Sequence, residues 1–192
     1  MRFRDKVVLI TWSSKGIGKA AALLFAKEWA NVVVNYFSSE QEANDVVDEV
    51  KRIGSDAIAI KCDIAQEPEV KAMFEQTIHA FGCIDILVNN AGIVYDVPLF
   101  ERSIEQWRRT LDVNLLGTFL CSKYAAQHML TAGSGKIINI SSTNAINSFS
   151  PEALDYDASK AWVITLTKDF AQELAPTIQV NAIAPWRVDT DM

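Results

Sequence analysis

Glycine is what this sequence has little of: 8 of 192 residues, about 4%, where an average soluble protein carries roughly 7%. Histidine is rarer still, with 2, and cysteine stands at 3. His79 and His128 fall in helical patterns without ligand partners, and Cys62, Cys83 and Cys121 have no metal-ligand spacing, so no metal site is expected. An odd number of unpatterned cysteines excludes a disulfide framework and fits reduced thiols in the cytoplasm. Positive charge is also in deficit, 18 Lys and Arg against 24 Asp and Glu, for a net charge of -6. That balance argues against nucleic acid or an anionic membrane as the main partner, since both need a basic surface. Long hydrophobic runs are missing too. The start, MRFRDKVVLI, holds an apolar run too short for a signal peptide or a membrane span, so a cytoplasmic protein is expected.

What is present is a regular alternation. KVVLIT (6–11), NVVVNY (31–36), DAIAIKC (56–62), IDILVNN (84–90), KIINIS (136–141) and IQVNAIA (178–184) read as strands, nearly continuous in apolar residues as buried parallel strands are. Amphipathic helices are expected at about 16–29, 39–53, 67–80, 102–130 with a break, and 155–174. Repeated β-α units predict an α/β fold, a doubly wound parallel sheet of Rossmann-like type with helices on both faces. No linker or repeat divides the chain, so residues 1–192 are expected to form one dinucleotide-binding domain. In such a sheet ligands bind beyond the carboxyl ends of the strands. That rule selects Thr11–Gly18, Asp63, Asn89–Gly92, Ser141–Thr143 and Pro185–Thr190.

Gly16 and Gly18 open the first helix directly after the first strand, where free N–H groups and the helix dipole favour a phosphate. The same pair would also serve a plain, tightly packed strand-to-helix turn. In DYDASKAW, Tyr156 and Lys160 stand at i and i+4, one helical turn apart on one face. An ammonium beside a phenol favours the phenolate and lowers its pKa from about 10 toward neutrality, which makes a general acid or base. A bare Y-x-x-x-K is more often two exposed helix residues. Here NISS ends a strand some fourteen residues upstream, and Ser142 offers a hydroxyl for a substrate oxygen.

Taken in order, TWSSKGIG, CDI, NNAG, DVNLLGTF, NISS, YDASK and APWRVDTDM resemble the motifs of the short-chain dehydrogenase/reductase family along nearly the whole chain. The resemblance implies hydride exchange between a nicotinamide cofactor and a carbonyl or alcohol carbon. It implies Tyr156 as general acid/base, Ser142 as the group orienting the substrate oxygen, Lys160 as the residue lowering the tyrosine pKa and holding the nicotinamide ribose, and Asn114 as support for a proton-relay water. Ser142 lies one residue further from Tyr156 than the commonest family spacing, so Thr143 stays open as the hydroxyl. The cofactor loop would comprise Thr11, Ser14, Lys15, Gly16, Ile17 and Gly18. Asn89, Ala91 and Gly92 would line the adenosine side, Asp63 and Ile64 the adenine, and Pro185, Val188 and Thr190 the nicotinamide and phosphate region.

NAD enzymes place an acidic residue at the end of the second strand to bind the ribose hydroxyls. This chain has Tyr36 and Phe37 there, and Lys15 in the loop, which favours NADP over NAD. A small carbonyl or alcohol is the expected substrate. The VVVNY, NNAGI and YDASKA regions are most similar to 3-oxoacyl-acyl carrier protein reductases and glucose 1-dehydrogenases.

Four of the five tryptophans occupy positions where the family pattern has glycine: Trp12 in the cofactor loop, Trp29 at the end of the first helix, Trp162 on the catalytic helix and Trp186 in the turn after the sixth strand. Trp29 is expected in the left-handed conformation, at a cost of about 1–2 kcal/mol. At 12 and 186 the indole must swing out or fill the cofactor pocket, and at 162 overpacking of about 1–3 kcal/mol is expected. The chain ends at Met192, whereas the family continues, so the C-terminal part of the family fold is expected to be missing; a full-length chain is expected to form a homo-oligomer. Three readings follow. One is an active NADP-dependent reductase or dehydrogenase whose sequence is altered or incomplete at these points. Another is a non-catalytic module that keeps the fold while Trp12 and Trp186 block the cofactor site. The third is an enzyme whose cofactor site is adapted and repacked around the tryptophans.

Overall fold

The computed structural model describes residues 2–147, 149–186 and 188–190; of the last motif, Arg187, Asp191 and Met192 lie outside the described residues. Six strands form one parallel sheet in the order β3-β2-β1-β4-β5-β6, comprising β1 (Val7–Ile10), β2 (Asn31–Tyr36), β3 (Ala57–Lys61), β4 (Ile86–Asn89), β5 (Gly135–Ile140) and β6 (Ile178–Ile183). The helices are α1 (Gly16–Lys27), α2 (Glu40–Ile53), α3 (Glu67–Phe81), α4 (Ile104–Leu111), α5 (Thr118–Ala132) and α6 (Leu154–Glu173). The expected strands and helices are all present, with ends shifted by one or two residues as propensity alone cannot place them. Strand order reverses between β1 and β4, and the crevice at that switch point lies beyond their carboxyl ends.

Both faces of the sheet are covered. Leu9, Val33, Leu87 and Ile137 pack with Met73, Phe74, Val113 and Met129 of the α3–α5 side. Val8, Ile10, Val32 and Val34 pack with Ala22, Val46 and Val50 of the α1–α2 side. Burial on two faces explains why these strands are uniformly apolar rather than alternating.

The break expected inside 102–130 is a π-helical segment, Asp112–Gly117, between α4 and α5. Such segments insert an extra residue into the helical repeat and re-aim the side chains around them. Asn114 sits at its centre, fully buried. At its end a Cβ on Gly117 would lie 2.6 Å from Ile64 Cδ1, so glycine lets this segment close against the turn after β3.

The four tryptophans behave differently from one another. Trp29 has φ 72, as its helix-ending position predicts, and Trp12 has φ 50, also left-handed. Trp162 corrects the expected overpacking: its side chain is 55% exposed and meets solvent, because its face of α6 turns away from the sheet. Trp186 is 70% exposed and swings outward. Trp12 alone packs inward, against the core cluster around Ile60 and Ile64.

Candidate active site

The loop after β1 is held by β4 rather than by itself. Thr11 Oγ1 accepts hydrogen bonds from the Asn90 and Ala91 N–H groups, both at 2.9 Å, and Asn90 Nδ2 donates to the Thr11 and Trp12 carbonyls at 3.0 and 3.2 Å. A Cβ on Gly18 would stand 2.6 Å from the Trp12 carbonyl oxygen and 2.7 Å from Asn90 Nδ2, so only glycine permits this approach. Gly16 adopts φ 57, which glycine reaches without strain. Lys15 precedes α1 in extended conformation and is exposed, and no side chain caps the helix, so the first N–H groups of α1 keep donors for an anion. Thr190 approaches this turn from the far end of the chain, 3.6 Å from where a Gly16 Cβ would be. Ser14 and Ile17 lie in the same loop, buried and half-buried respectively.

Around the switch point the structure gathers the predicted polar residues. Ser142 caps the short 3₁₀ turn Thr143–Ala145, its Oγ accepting from the Asn144 N–H at 3.2 Å. Thr143 instead donates its N–H to the Pro185 carbonyl at 3.0 Å. The Ser142 hydroxyl, rather than that of Thr143, is the one that acts on the Tyr156 phenol, lowering its pKa against the effect of burial. Lys160 is buried; its Nζ donates to the Ile140 carbonyl at 2.8 Å and lies 5.6 Å from the Tyr156 ring centroid. A Cβ on Gly92 would come within 3.1 Å of that ammonium and 3.5 Å of Asn114 Oδ1, so the backbone after β4 passes directly over both. Asn114 donates to the Ile93 carbonyl and Ser159 Oγ at 2.9 and 3.0 Å and accepts from the Ile93 N–H at 2.8 Å. Its amide is thereby fully committed to anchoring the segment past Gly92.

The electrostatics differ from the sequence expectation. Burial pushes the Tyr156 phenol above its ordinary 10, with the Ser142 hydrogen bond acting the other way. Burial also lowers Lys160 from 10.5 to about 8. Desolvation penalises each charged form more than the pair gains, so the phenol is protonated at neutral pH.

Some expected ligands stand elsewhere. Tyr36 is buried in the core beside Val34 and Val47, because β2 alternation turns it onto the α1–α2 face; Phe37 takes the cleft side. Asn89 is spent on a buried network, donating to Ser122 Oγ at 2.9 Å and Asn139 Oδ1 at 2.8 Å. Ile64 has its side chain in the core. Ala91 is buried, its N–H given to Thr11. Asp63 is half-buried, its carboxylate binding Arg109 at 2.9 Å and accepting from the Ala65 N–H at 3.1 Å. Val188 is exposed past β6. Arg109 had no signal in the sequence; Phe37 was noted only for standing where a carboxylate would mark NAD, and Asn90 fell within the selected Asn89–Gly92 stretch without a role of its own.

A nicotinamide dinucleotide fits this cleft at one end and not at the other. The Gly16–Gly18 turn and the uncapped start of α1 suit its pyrophosphate. At the adenosine end the Trp12 indole stacks on Phe37, centroids 6.5 Å apart, and its Nε1 is buried without a hydrogen-bond partner. Arg109 covers the other part of Phe37 at 5.5 Å. This aromatic stack occupies space the loop would otherwise leave open.

A parallel sheet with an uncapped glycine turn at its switch point and Ser142, Tyr156 and Lys160 beside it is an arrangement compatible with a nucleotide-dependent oxidoreductase. The sequence profile of the short chain dehydrogenase family matches residues 6–192, and the chain belongs to that family. It is 44% identical over 188 residues to a 3-oxoacyl-[acyl-carrier-protein] reductase of Synechocystis sp., covering 97% of this chain and 76% of the relative. It is 43% identical over 189 residues to 3beta-hydroxysteroid dehydrogenase 1 of Eggerthella lenta, covering 97% and 72%. A double mutant of a Serratia marcescens short-chain dehydrogenase/reductase superposes with a TM-score of 0.95 at 36% identity, over 100% of this chain and 78% of that one. A short-chain type dehydrogenase/reductase from Mycobacterium marinum gives 0.91 at 38% identity, over 95% and 75%.

Proposed function

We propose that the chain reduces a carbonyl to an alcohol with NADPH, and that the substrate is a 3-oxoacyl thioester, the class named for its Synechocystis relative. The observation that carries the reading is the meeting of Ser142, Tyr156 and Lys160 at the sheet's switch point. In this reaction class the nicotinamide supplies the hydride; the chain's own residues manage the oxygen. Ser142 orients the substrate carbonyl by donating to its oxygen. Tyr156, kept protonated by burial, gives its proton to that oxygen as negative charge develops. Lys160, close to the ring and partly cationic near pH 8, stabilises the phenolate that remains. Asn114 holds the Gly92–Ile93 segment over the lysine and so sets the floor of the site.

That Phe37 rather than a carboxylate directly follows β2, with Lys15 exposed on the loop, supports NADPH over NADH. A non-catalytic module is less well supported, since all three proton-handling side chains are retained and brought together. An open, mostly apolar groove of about 360 Å³, lined by Leu111, Asp112, Leu115, Leu116, Phe119 and Leu166, supports self-association through α4–α6. Size-exclusion chromatography with light scattering tests that association.

The functional test is a panel of 3-oxoacyl thioesters, simple ketones and polyols with NADPH or NADH, following nicotinamide absorbance. Thioester reduction with NADPH, lost in Tyr156→Phe, is the expected result. Turnover unchanged in Tyr156→Phe would overturn the assignment.

A further inference from the structure

Trp12 and Trp29 hold a backbone state that suits neither. Among the described residues the other positions at positive φ are Asp5 and the glycines Gly16, Gly54, Gly82 and Gly133. Aspartate tolerates that region through local hydrogen bonds of its short side chain, and an indole has no such compensation.

The end of α1 gives the sharpest comparison. Trp29 N–H donates to the Ala26 carbonyl at 2.9 Å and Ala30 N–H to the Phe25 carbonyl at 3.1 Å. At the end of α2, Gly54 donates to Lys51 at 3.0 Å and Ser55 to Val50 at 3.4 Å; at the end of α5, Gly133 donates to Leu130 at 3.2 Å and Ser134 to Met129 at 3.1 Å. The three helix ends use the same two bonds at the same offsets, the pattern that glycine favours after a helix. Two of them have glycine and the third has tryptophan.

What the indoles gain in return is small: the Arg4 guanidinium 5.4 Å over the Trp29 ring and the stack of Trp12 on Phe37. Trp29, Trp162 and Trp186 are 41%, 55% and 70% exposed, and Trp12 buries its Nε1 unpartnered in the cleft where a dinucleotide should lie. Such a donor usually finds a partner when buried.

We propose that the functional chain carries glycine at positions 12, 29, 162 and 186. One event accounts for all four: the codon UGA is assigned to tryptophan in some genetic codes and to glycine in others, and the cell that makes this protein charges it with glycine. Four further glycines would bring the total to roughly 12, about 6% of the chain and close to an ordinary share. Trp107, on the regular helix α4, is outside the proposal, which expects the ordinary tryptophan codon UGG there. The consequence that the adenosine end of the cleft is open rests on the functional reading above; the residue identities do not.

The test is the gene's codons together with peptide mass spectrometry of the protein isolated from the cells that carry it. UGA at the four positions, with glycine in all four peptides and tryptophan at 107, is expected. Tryptophan in the peptides spanning residues 12 and 29, or UGG at those codons, overturns the proposal. A second measurement compares recombinant chains differing only at these four residues. The glycine chain is expected to melt about 5–15 °C higher, from relief of two strained residues, and to bind NADPH at least tenfold tighter. Equal melting temperatures and equal affinities would sink the strain argument on which the proposal stands. Glycine in the peptides without NADPH binding would uphold this inference and remove the functional reading instead.

Discussion

The Arg102 guanidinium and the Asp155 carboxylate meet at 2.5 Å with side chains 4% and 0% exposed, joining the loop before α4 to the first turn of α6. Arg102 also donates to the Tyr95, Val97 and Glu152 carbonyls, and Asp155 accepts from Thr110 Oγ1 at 2.7 Å and from the Tyr156 N–H at 3.0 Å. The residue preceding the proposed proton donor is thus tied to the loop that flanks the cleft. Removing one charge strands the other in a dry site, so Asp155→Asn should cost about 3–5 kcal/mol by urea denaturation. A double replacement, Arg102→Met with Asp155→Leu, should lose less than the single change. A single-variant loss below about 1 kcal/mol would show that the pair is well solvated.

Lys160 makes stability depend on pH in a window set by its lowered pKa. Between about 8 and its ordinary 10.5 the unfolded chain binds more protons than the folded one, so its contribution to stability rises as pH climbs. The slope is at most about 1.4 kcal/mol per pH unit. Cys62, raised to about 12, and Cys121, also raised by burial, act oppositely above their ordinary 9.0. The clean window is therefore pH 8–9. Over it the chain should gain on the order of 1 kcal/mol relative to Lys160→Met in chemical denaturation. A constant difference between the two would mean that the lysine is not desolvated.

Asn90 links the loop between β1 and α1 to β4 through two carbonyls that have no other side-chain donor among the described residues. Asn90→Ala should release Thr11–Gly16, raise the KM for NADPH at least tenfold and cost roughly 1–3 kcal/mol of stability. A change in kcat with KM intact would place Asn90 in the chemistry rather than in the cradle.

The three thiols should separate by accessibility. Cys62 and Cys121 are buried with raised pKa values, whereas Cys83 is half-exposed and raised by burial and by Asp85. Iodoacetamide at pH 8 should label Cys83 first, slowly, and reach the other two only in denaturant. Early labelling of Cys121 would reveal local opening of α5.

Element order and sheet type were legible because β-branched runs and helical periodicity are local properties, the former imposed by burial on both faces of the central strands β1, β2 and β4. Tyr156, Lys160 and Ser142 were legible because two stand one helical turn apart and the third ends the preceding strand, spacings that survive without knowledge of the fold. Tertiary structure alone decided the rest. It turned Tyr36 into the core and Phe37 to the cleft, a one-residue alternation no composition reveals. It committed Asn89 to a buried network and gave loop-binding to Asn90, since hydrogen-bond partners 33 to 79 residues away are set by packing. It reversed the expected direction of the Tyr156 shift, because desolvation depends on what surrounds a group and not on its neighbour in sequence. For the tryptophans both levels were needed: the sequence shows them where glycine is expected, and backbone dihedral angles show that positions 12 and 29 require what glycine alone adopts freely.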